Sequence, residues 1–320
     1  MKTAIIGMGV IGKVHLRVCQ ELGNKIVAVC EIDEKRTKEI ASSVPVYSDY
    51  KKMLDEVEIQ VVHICTPHYL HAEMIIECLR RNIHVLCEKP LCINPEELNE
   101  IVKAEEKTKA QLGVCLQNRY NISSLVAKEY LQIHKPTNGY GNVLWHRDKA
   151  YYACDKWRGK WATEGGGVII NQALHTLDLL QWFLGMPTEC VATIENMLLK
   201  EVIEVEDTGF GLFSGESNFT IFATNGSVQE YPVEITLQTN EGILKVTPDK
   251  AEINGQTLAI KDGDGYYGKC CYGEGHKSLI FDFYDCIRTG RKFSIDGVEA
   301  AKVMRLIFAM YKSKGRNVNI

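Results

Sequence analysis

The chain has 320 residues, 45% of them hydrophobic and 24% charged, with a formal net charge of −4. That balance is ordinary for a globular protein with length for about two domains, and the mild negative charge argues against nucleic acid or an anionic membrane as the main partner. No apolar run reaches the ~20 residues of a membrane helix, and the N-terminus runs straight into a strand with no signal peptide, so a cytoplasmic protein is expected.

The first element is a short apolar strand, Lys2 to Ile6, followed by Gly7, Gly9 and Gly12 in the spacing G-x-G-x-x-G. The pattern then turns helical, with Val14, Val18 and Leu22 recurring every four residues. Strand, glycine loop and helix form the context in which this motif reads as a dinucleotide site. Gly7 allows the tight turn, Gly9 the approach of a pyrophosphate, and Gly12 close packing of helix on strand. The helix N-terminus supplies N–H groups and a positive dipole end to the phosphates. A second strand, Lys25 to Glu31, ends on an acid nineteen residues after Gly12. An acid there is placed to accept hydrogen bonds from the adenosine ribose and favours NAD over NADP; Lys35 and Arg36 follow it closely and work the other way.

Further strand-like runs are Val44–Tyr47, Ile59–Cys65, His84–Glu88 and Leu112–Gln117, separated by amphipathic helices such as Leu70–Arg81 and Pro95–Thr108. Asn94 is a fair N-cap and Pro95 suits the first helical position. Short apolar strands alternating with helices predict a doubly wound parallel sheet, an α/β Rossmann domain over residues 1–120. From about residue 121 to 320 the character changes. A helix is expected over Ser123–Gln132, a strand through Val143–Tyr152 after Gly139 and Gly141, and one apolar helix from about Val168 to Leu184. Strands follow at Glu189–Ile194, Asp207–Phe213, Phe219–Ala223, Val233–Thr239 and Ile243–Thr247, then helices at His276–Thr289 and Gly297–Lys314. This predicts a C-terminal α+β domain on an open, mostly antiparallel sheet.

Twelve cysteines sit mostly inside apolar segments without a C-x-x-C pair, and Cys270 and Cys271 are adjacent, which is poor spacing for structural zinc. They read as reduced, buried apolar residues, and the nine histidines form no metal-ligand pattern either.

Two strand ends carry candidate chemistry. Cys65-Thr66-Pro67 closes the fourth strand and Cys87-Glu88-Lys89-Pro90 the fifth, and ligands of doubly wound sheets sit at such carboxyl ends. In the second half, Gly165-Gly166-Gly167 opens a helix on which Asn171, His175 and Asp178, four and three residues apart, share one stripe. A polar stripe on an otherwise apolar helix needs a reason; a satisfied core histidine is the plain alternative.

The segments GMGVIG, TPHYLH (66–71), EKPL (88–91), QNRY (117–120), WRG (157–159), GGGVIINQALHTLD (165–178) and GRKFSIDGVEAAKVM (290–304) together resemble the Gfo/Idh/MocA oxidoreductases over nearly the whole chain. That family covers glucose–fructose oxidoreductase, inositol dehydrogenase and rhizopine catabolism proteins. The resemblance implies hydride transfer between a nicotinamide cofactor and a hydroxyl carbon of a sugar, inositol or nucleotide sugar. It also implies dimers or tetramers through the open sheet. Lys89 matches the family's catalytic lysine and His175 its catalytic histidine. Cofactor contacts are implied at Gly7, Met8, Gly9, Val10, Ile11, Gly12, Glu31, Cys65, Thr66, Pro67, His71, Glu88, Lys89, Gln117, Trp157 and Arg158. Substrate contacts are implied at Lys89, Asn118, Arg119, Tyr152, Asn171, His175 and His276, and no metal. Asn171 stands where inositol dehydrogenases usually have aspartate, which resembles the branch acting on nucleotide-linked or glycosidic sugars. Two other readings differ in class: an NAD-dependent glycosidase working by transient oxidation, and a dinucleotide-binding sensor, against which the presence of both Lys89 and His175 argues.

Overall fold

A computed structural model describes residues 1–38, 40, 42–261 and 275–320; Cys270 and Cys271 lie outside the described residues. The chain divides into two compact units. The first holds 1–92, 96–115 and 276–300, the second 93–95, 116–275 and 301–320.

In the first unit β1 (Lys2–Ile6), β2 (Lys25–Cys30), β3 (Val46–Tyr47), β4 (Val61–Ile64), β5 (His84–Cys87) and β6 (Leu112–Val114) form one sheet in the order β3-β2-β1-β4-β5-β6. Every pairing is parallel. The order reverses beside β1, so the glycine loop after β1 opens at the switch point, where a ligand-binding crevice forms. All four residues of β4 are buried, as helices on both faces demand.

The return of 276–300 to this unit is a difference from the sequence reading, which places those residues in the second domain. Packing explains it. The helix Gly275–Thr289 lays Phe283 over Gly113, where a Cβ would stand 2.8 Å from the ring. The Tyr284 hydroxyl reaches Thr3 Oγ1 at 2.7 Å, and Val114 N–H donates to Ile295 O at 3.0 Å. No local pattern announces such long-range partners.

The second unit carries β7 (Pro136–Leu144), β8 (Glu189–Glu195), β9 (Thr208–Ser214), β10 (Phe219–Thr224), β11 (Glu234–Thr239), β12 (Gly242–Val246), β13 (Lys250–Ile253), β14 (Gln256–Ile260) and β15 (Val318–Asn319). They pair in the order β14-β13-β12-β11-β7-β10-β9-β8-β15. Only β7 with β10 is parallel among the described pairings. The expected strand over Val143–Tyr152 is displaced: Gly139 and Gly141 lie inside β7, and Lys149–Ala153 is helical under the Asp148 cap. The reason is packing. A Cβ at Gly141 would come within 2.4 Å of Thr176 Cγ2, so the glycines let the helix Leu174–Leu184 press onto β7. The opposite face of this sheet shows Tyr140, Phe210, Leu212 and Phe222 to solvent. Among the described residues no helix is long and apolar enough to cross a membrane. Ten described cysteines are free, all buried except Cys154.

Candidate functional site

In the first unit each glycine of the loop has its own constraint. Gly7 sits at φ +92°, where L side chains are strained, and a Cβ there would meet Cys65 O at 2.5 Å. A Cβ at Gly12 would stand 2.0 Å from Gly7 O, so only glycine lets the helix Val10–Glu21 start this close to β1. Gly9 is different: the nearest atom to its missing Cβ is Arg36 Nη1 at 3.5 Å, which leaves its backbone approachable. This cradle fits a pyrophosphate on a helix N-terminus. Glu31 shapes it. Its carboxylate accepts from Met8 N–H at 2.7 Å and from Asp33 N–H at 2.9 Å, clamping the loop to the end of β2. The residue read as a ribose acceptor is therefore also the brace of the loop.

At the end of β4, Cys65 is buried and backs Gly7, the Thr66 hydroxyl lies 3.6 Å from Met74 Sδ, and Pro67 leads into the short turn His68–Leu70. His71, implied as a cofactor contact, supports two turns. It is fully buried, with Nδ1 2.7 Å from Pro90 O and Nε2 2.9 Å from Thr66 O. Burial pushes its pKa down in spite of those carbonyls. The ring thus ties the turn after β4 to the turn after β5 that carries Lys89.

Glu88 and His276 also turn inward. Glu88 Oε1 lies 2.9 Å from His15 Nε2 and 3.6 Å from His276 Nε2, and Oε2 accepts from Lys89 N–H at 3.2 Å. Burial works to raise the Glu88 carboxyl, yet hydrogen bonding and electrostatic attraction from the two histidines hold it well below the usual carboxylate range. His276, implied as a substrate contact, is buried within this unit. His15, Glu88 and Cys115 bring ligand-type atoms within 4.8 Å of one another.

In the second unit the expected single helix over 168–184 is broken into Val168–Asn171 and Leu174–Leu184. The N–H of Ala173 reaches back five residues to Val168 O at 2.8 Å, a wide turn that shifts the helical register. The three stripe residues consequently meet three different partners. Asn171 donates to Glu164 Oε1 at 2.6 Å, and the other Glu164 oxygen takes the Gly159 N–H. His175 Nε2 lies 3.3 Å from the Gln117 side-chain nitrogen, an arrangement in which the amide donates and Nε2 accepts. Asp178 takes Arg119 Nε at 2.8 Å and Nη2 at 2.6 Å, both residues buried.

The Arg119 guanidinium, implied as a substrate contact, is bound to Asp178 and lies 5.3 Å from the Trp182 ring centre. Tyr152, also implied as a substrate contact, is buried. It packs with Ile203 and Val205 in a small core, its hydroxyl accepting from Asn225 Nδ2 at 3.1 Å. Its neighbour Tyr151 is the one among polar groups. Its hydroxyl accepts from Arg158 Nη1 at 2.5 Å and Gln172 Nε2 at 3.3 Å, and its ring lies 4.9 Å from Arg147 and 4.8 Å from Arg158. Arg158 also covers the Trp157 ring at 4.6 Å. Asn118 is buried, its Oδ1 without a hydrogen-bond partner among the described residues. Glu206 caps the helix start after the three glycines, accepting from Gly167 N–H at 2.9 Å, Ile169 N–H at 3.0 Å and the Tyr311 hydroxyl at 3.1 Å. Sequence reading missed Tyr151, Glu164 and Glu206. Adjacent tyrosines left the choice open, and acids this far from their targets carry no spacing signal.

Two family models match the chain. Residues 1–116 match the oxidoreductase family, NAD-binding Rossmann fold, and residues 133–245 match the GFO/IDH/MocA C-terminal domain. The myo-inositol 2-dehydrogenase of Thermotoga maritima is 25% identical over 329 residues, covering 98% of this chain and 96% of the relative. The D-glucoside 3-dehydrogenase of Escherichia coli is 29% identical over 199 residues, 58% of this chain and 55% of the relative. Among solved structures, the WlbA dehydrogenase from Chromobacterium violaceum in complex with NADH and UDP-GlcNAcA aligns with a TM-score of 0.86 at 27% identity, over 100% of this chain and 96% of that one.

Proposed function

Because the chain belongs to the Gfo/Idh/MocA oxidoreductase family, with an NAD-binding Rossmann domain at its N-terminus, we propose that it transfers a hydride between a secondary hydroxyl of a sugar-type substrate and NAD. The substrate is a sugar, nucleotide sugar, glycoside or inositol. One observation carries most of the support: Lys89 follows β5 on the same carboxyl edge of the sheet as the glycine cradle after β1, two strands away. A cation at that edge stands beside a cofactor-sized cradle, where strand-end ligands bind.

Bound NAD would supply an acceptor for one hydride, which carries both electrons of the oxidation, and Gly7, Gly9, Gly12 and Glu31 are the residues that would hold it. The chain's own groups do the rest. Oxidising an alcohol requires loss of the hydroxyl proton as charge builds on oxygen. His175 takes that proton: an ordinary histidine is largely neutral at pH 7 whereas lysine is not, and Nε2 already faces a donor amide as an acceptor. Lys89 stabilises the developing alkoxide as a cation and hydrogen-bond donor. Asn171, fixed by Glu164, orients without adding the charge an aspartate would bring. Glu31 selects NAD by repelling a 2′-phosphate. The bare apolar face of the second sheet supports a homodimer or homotetramer.

The test is a panel of inositols, free sugars, glucosides, uronic acids and nucleotide sugars offered with NAD and with NADP, followed by absorbance of the reduced cofactor. Net cofactor reduction with one member is the expected result. Glycoside cleavage without net reduction would move the protein to the glycosidase reading. Higher efficiency with NADP would overturn the role of Glu31.

A further inference from the structure

A buried polar cluster of the first unit lies beneath the Lys89 turn, outside the chemistry described above. Glu88 meets His15 as given. From there His15 Nδ1 lies 2.8 Å from His63 Nδ1, His63 Nε2 lies 3.0 Å from the Tyr284 hydroxyl, and that hydroxyl lies 2.7 Å from Thr3 Oγ1. His15, His63 and Thr3 have no exposed surface, and Tyr284 is nearly as deep. The chain is complete in either proton arrangement. Burial and the neighbouring His15 push the His63 pKa well down, so His63 is neutral and its two nitrogens take opposite roles. If His15 donates to it, His63 donates to Tyr284; if His63 donates to His15, Tyr284 donates to His63. In the second case His15 is a neutral ring donating its Nε2–H to Glu88; in the first, that same bond requires His15 to carry both ring protons.

Burying this many polar groups is unfavourable unless all are satisfied and something depends on them. The elements they join indicate what. His15 stands on the helix Val10–Glu21, three residues beyond Gly12, the last glycine of the cradle. Glu88 accepts the backbone N–H of Lys89 itself. His63 lies on β4 and Tyr284 on the returning helix. We propose that Glu88 and His15 are positioning residues: one carboxylate, gripping the dinucleotide helix with one oxygen and the Lys89 amide with the other, fixes the catalytic turn to the cofactor cradle. The His63–Tyr284–Thr3 chain holds His15 at the correct tilt. This rests on the role of Lys89 proposed above.

Glu88→Gln is the sharpest probe because it keeps volume. A carboxylate accepts at both oxygens, whereas an amide has one acceptor, so its NH2 either opposes Lys89 N–H or forces His15 to give up its Nε2–H and carry its proton on Nδ1. Displacing a catalytic group slightly costs turnover far more than binding. We expect kcat to fall ~10-fold with KM for the sugar and the NAD dissociation constant within about threefold. Hydrogen–deuterium exchange over 86–92, read by mass spectrometry on the full chain, should rise in the same variant. His15→Ala should act alike, and the double variant should be no worse than the worse single, as coupled groups require. Tyr284→Phe should lower kcat about two- to threefold, as the more remote support. Unchanged exchange over 86–92 in Glu88→Gln would overturn the proposal, as would loss of NAD affinity in step with kcat. A stoichiometric metal ion on the purified protein would too, since it would replace the His15–Glu88 hydrogen bond by coordination. The exchange and NAD-binding arms need no substrate, so they judge the positioning role even if no alcohol on the panel is turned over.

Discussion

β4 and β9 are strands with opposite surroundings. Val61 to Ile64 of β4 are buried on both faces. β9 alternates: Phe213 is fully buried while Leu212 and Phe210 are 44% and 49% exposed. The register continues that open row, Phe210 opposite Phe222 and Leu212 opposite Thr220. In the first unit both faces of the sheet are packed, which leaves the strand ends open to a ligand. In the second, one sheet face packs the helix Leu174–Leu184 and the other is exposed.

Equivalent charges should break this comparison most visibly. Val62→Lys places an ammonium where neither face has water, and it should cost more than ~4 kcal/mol and leave little folded protein, measured by chemical denaturation. Leu212→Lys should leave the monomer's stability within ~1 kcal/mol while shifting the assembly to smaller species by light scattering. An unchanged mass with intact fold would remove the open face as an interface.

Next come the two residues proposed as catalytic. Lys89→Ala and His175→Ala should each lower kcat by ~10² or more, with NAD affinity within a few-fold by fluorescence titration. Near-normal turnover in His175→Ala would leave Lys89 to act alone. Asp178, bonded to Arg119 rather than His175, should behave differently. Asp178→Asn should destabilise by ~3–5 kcal/mol as a broken buried pair, with the activity of the remaining folded enzyme little changed.

A pH effect separates the units further. Burial raises the Glu206 carboxyl to about 7 against backbone and Tyr311 hydrogen bonds that lower it. The folded state therefore holds a proton that the unfolded chain releases near pH 4.5. Stability is fullest below that pH, falls as pH rises through about 7, and levels off above. The amplitude is of order 2–4 kcal/mol. Glu206→Gln should flatten the slope of Tm between pH 5 and 7, whatever its offset.

The smallest expected effect is on cofactor choice. Glu31→Ala should loosen the loop braced through Met8 and move the NAD to NADP ratio of kcat/KM about tenfold toward NADP. No movement would return cofactor selection to Lys35 and Arg36.

Much of this protein is legible along the chain. The glycine spacing, the acid at Glu31, the six short strands and the Lys89 strand end follow from local rules: periodicity, turn chemistry and the backbone freedom of glycine. The site around His175 is legible only in part. Asn171, His175 and Asp178 share a stripe on paper, but the wide turn at Ala173 sends them to Glu164, Gln117 and Arg119. Arg119 and Tyr152 are singled out by resemblance, and only the structure shows the first paired with Asp178 and the second in a small core. The glycines of β7 read as a break and prove to be the places where a helix packs. His15, His63, Glu88 and Tyr284 are spread over most of the chain, and no spacing relates them. Local pattern depends on neighbours a few residues apart; which distant polar groups share one buried hydrogen-bond network is decided only when strands and helices close around them and remove the water that would otherwise satisfy each one alone.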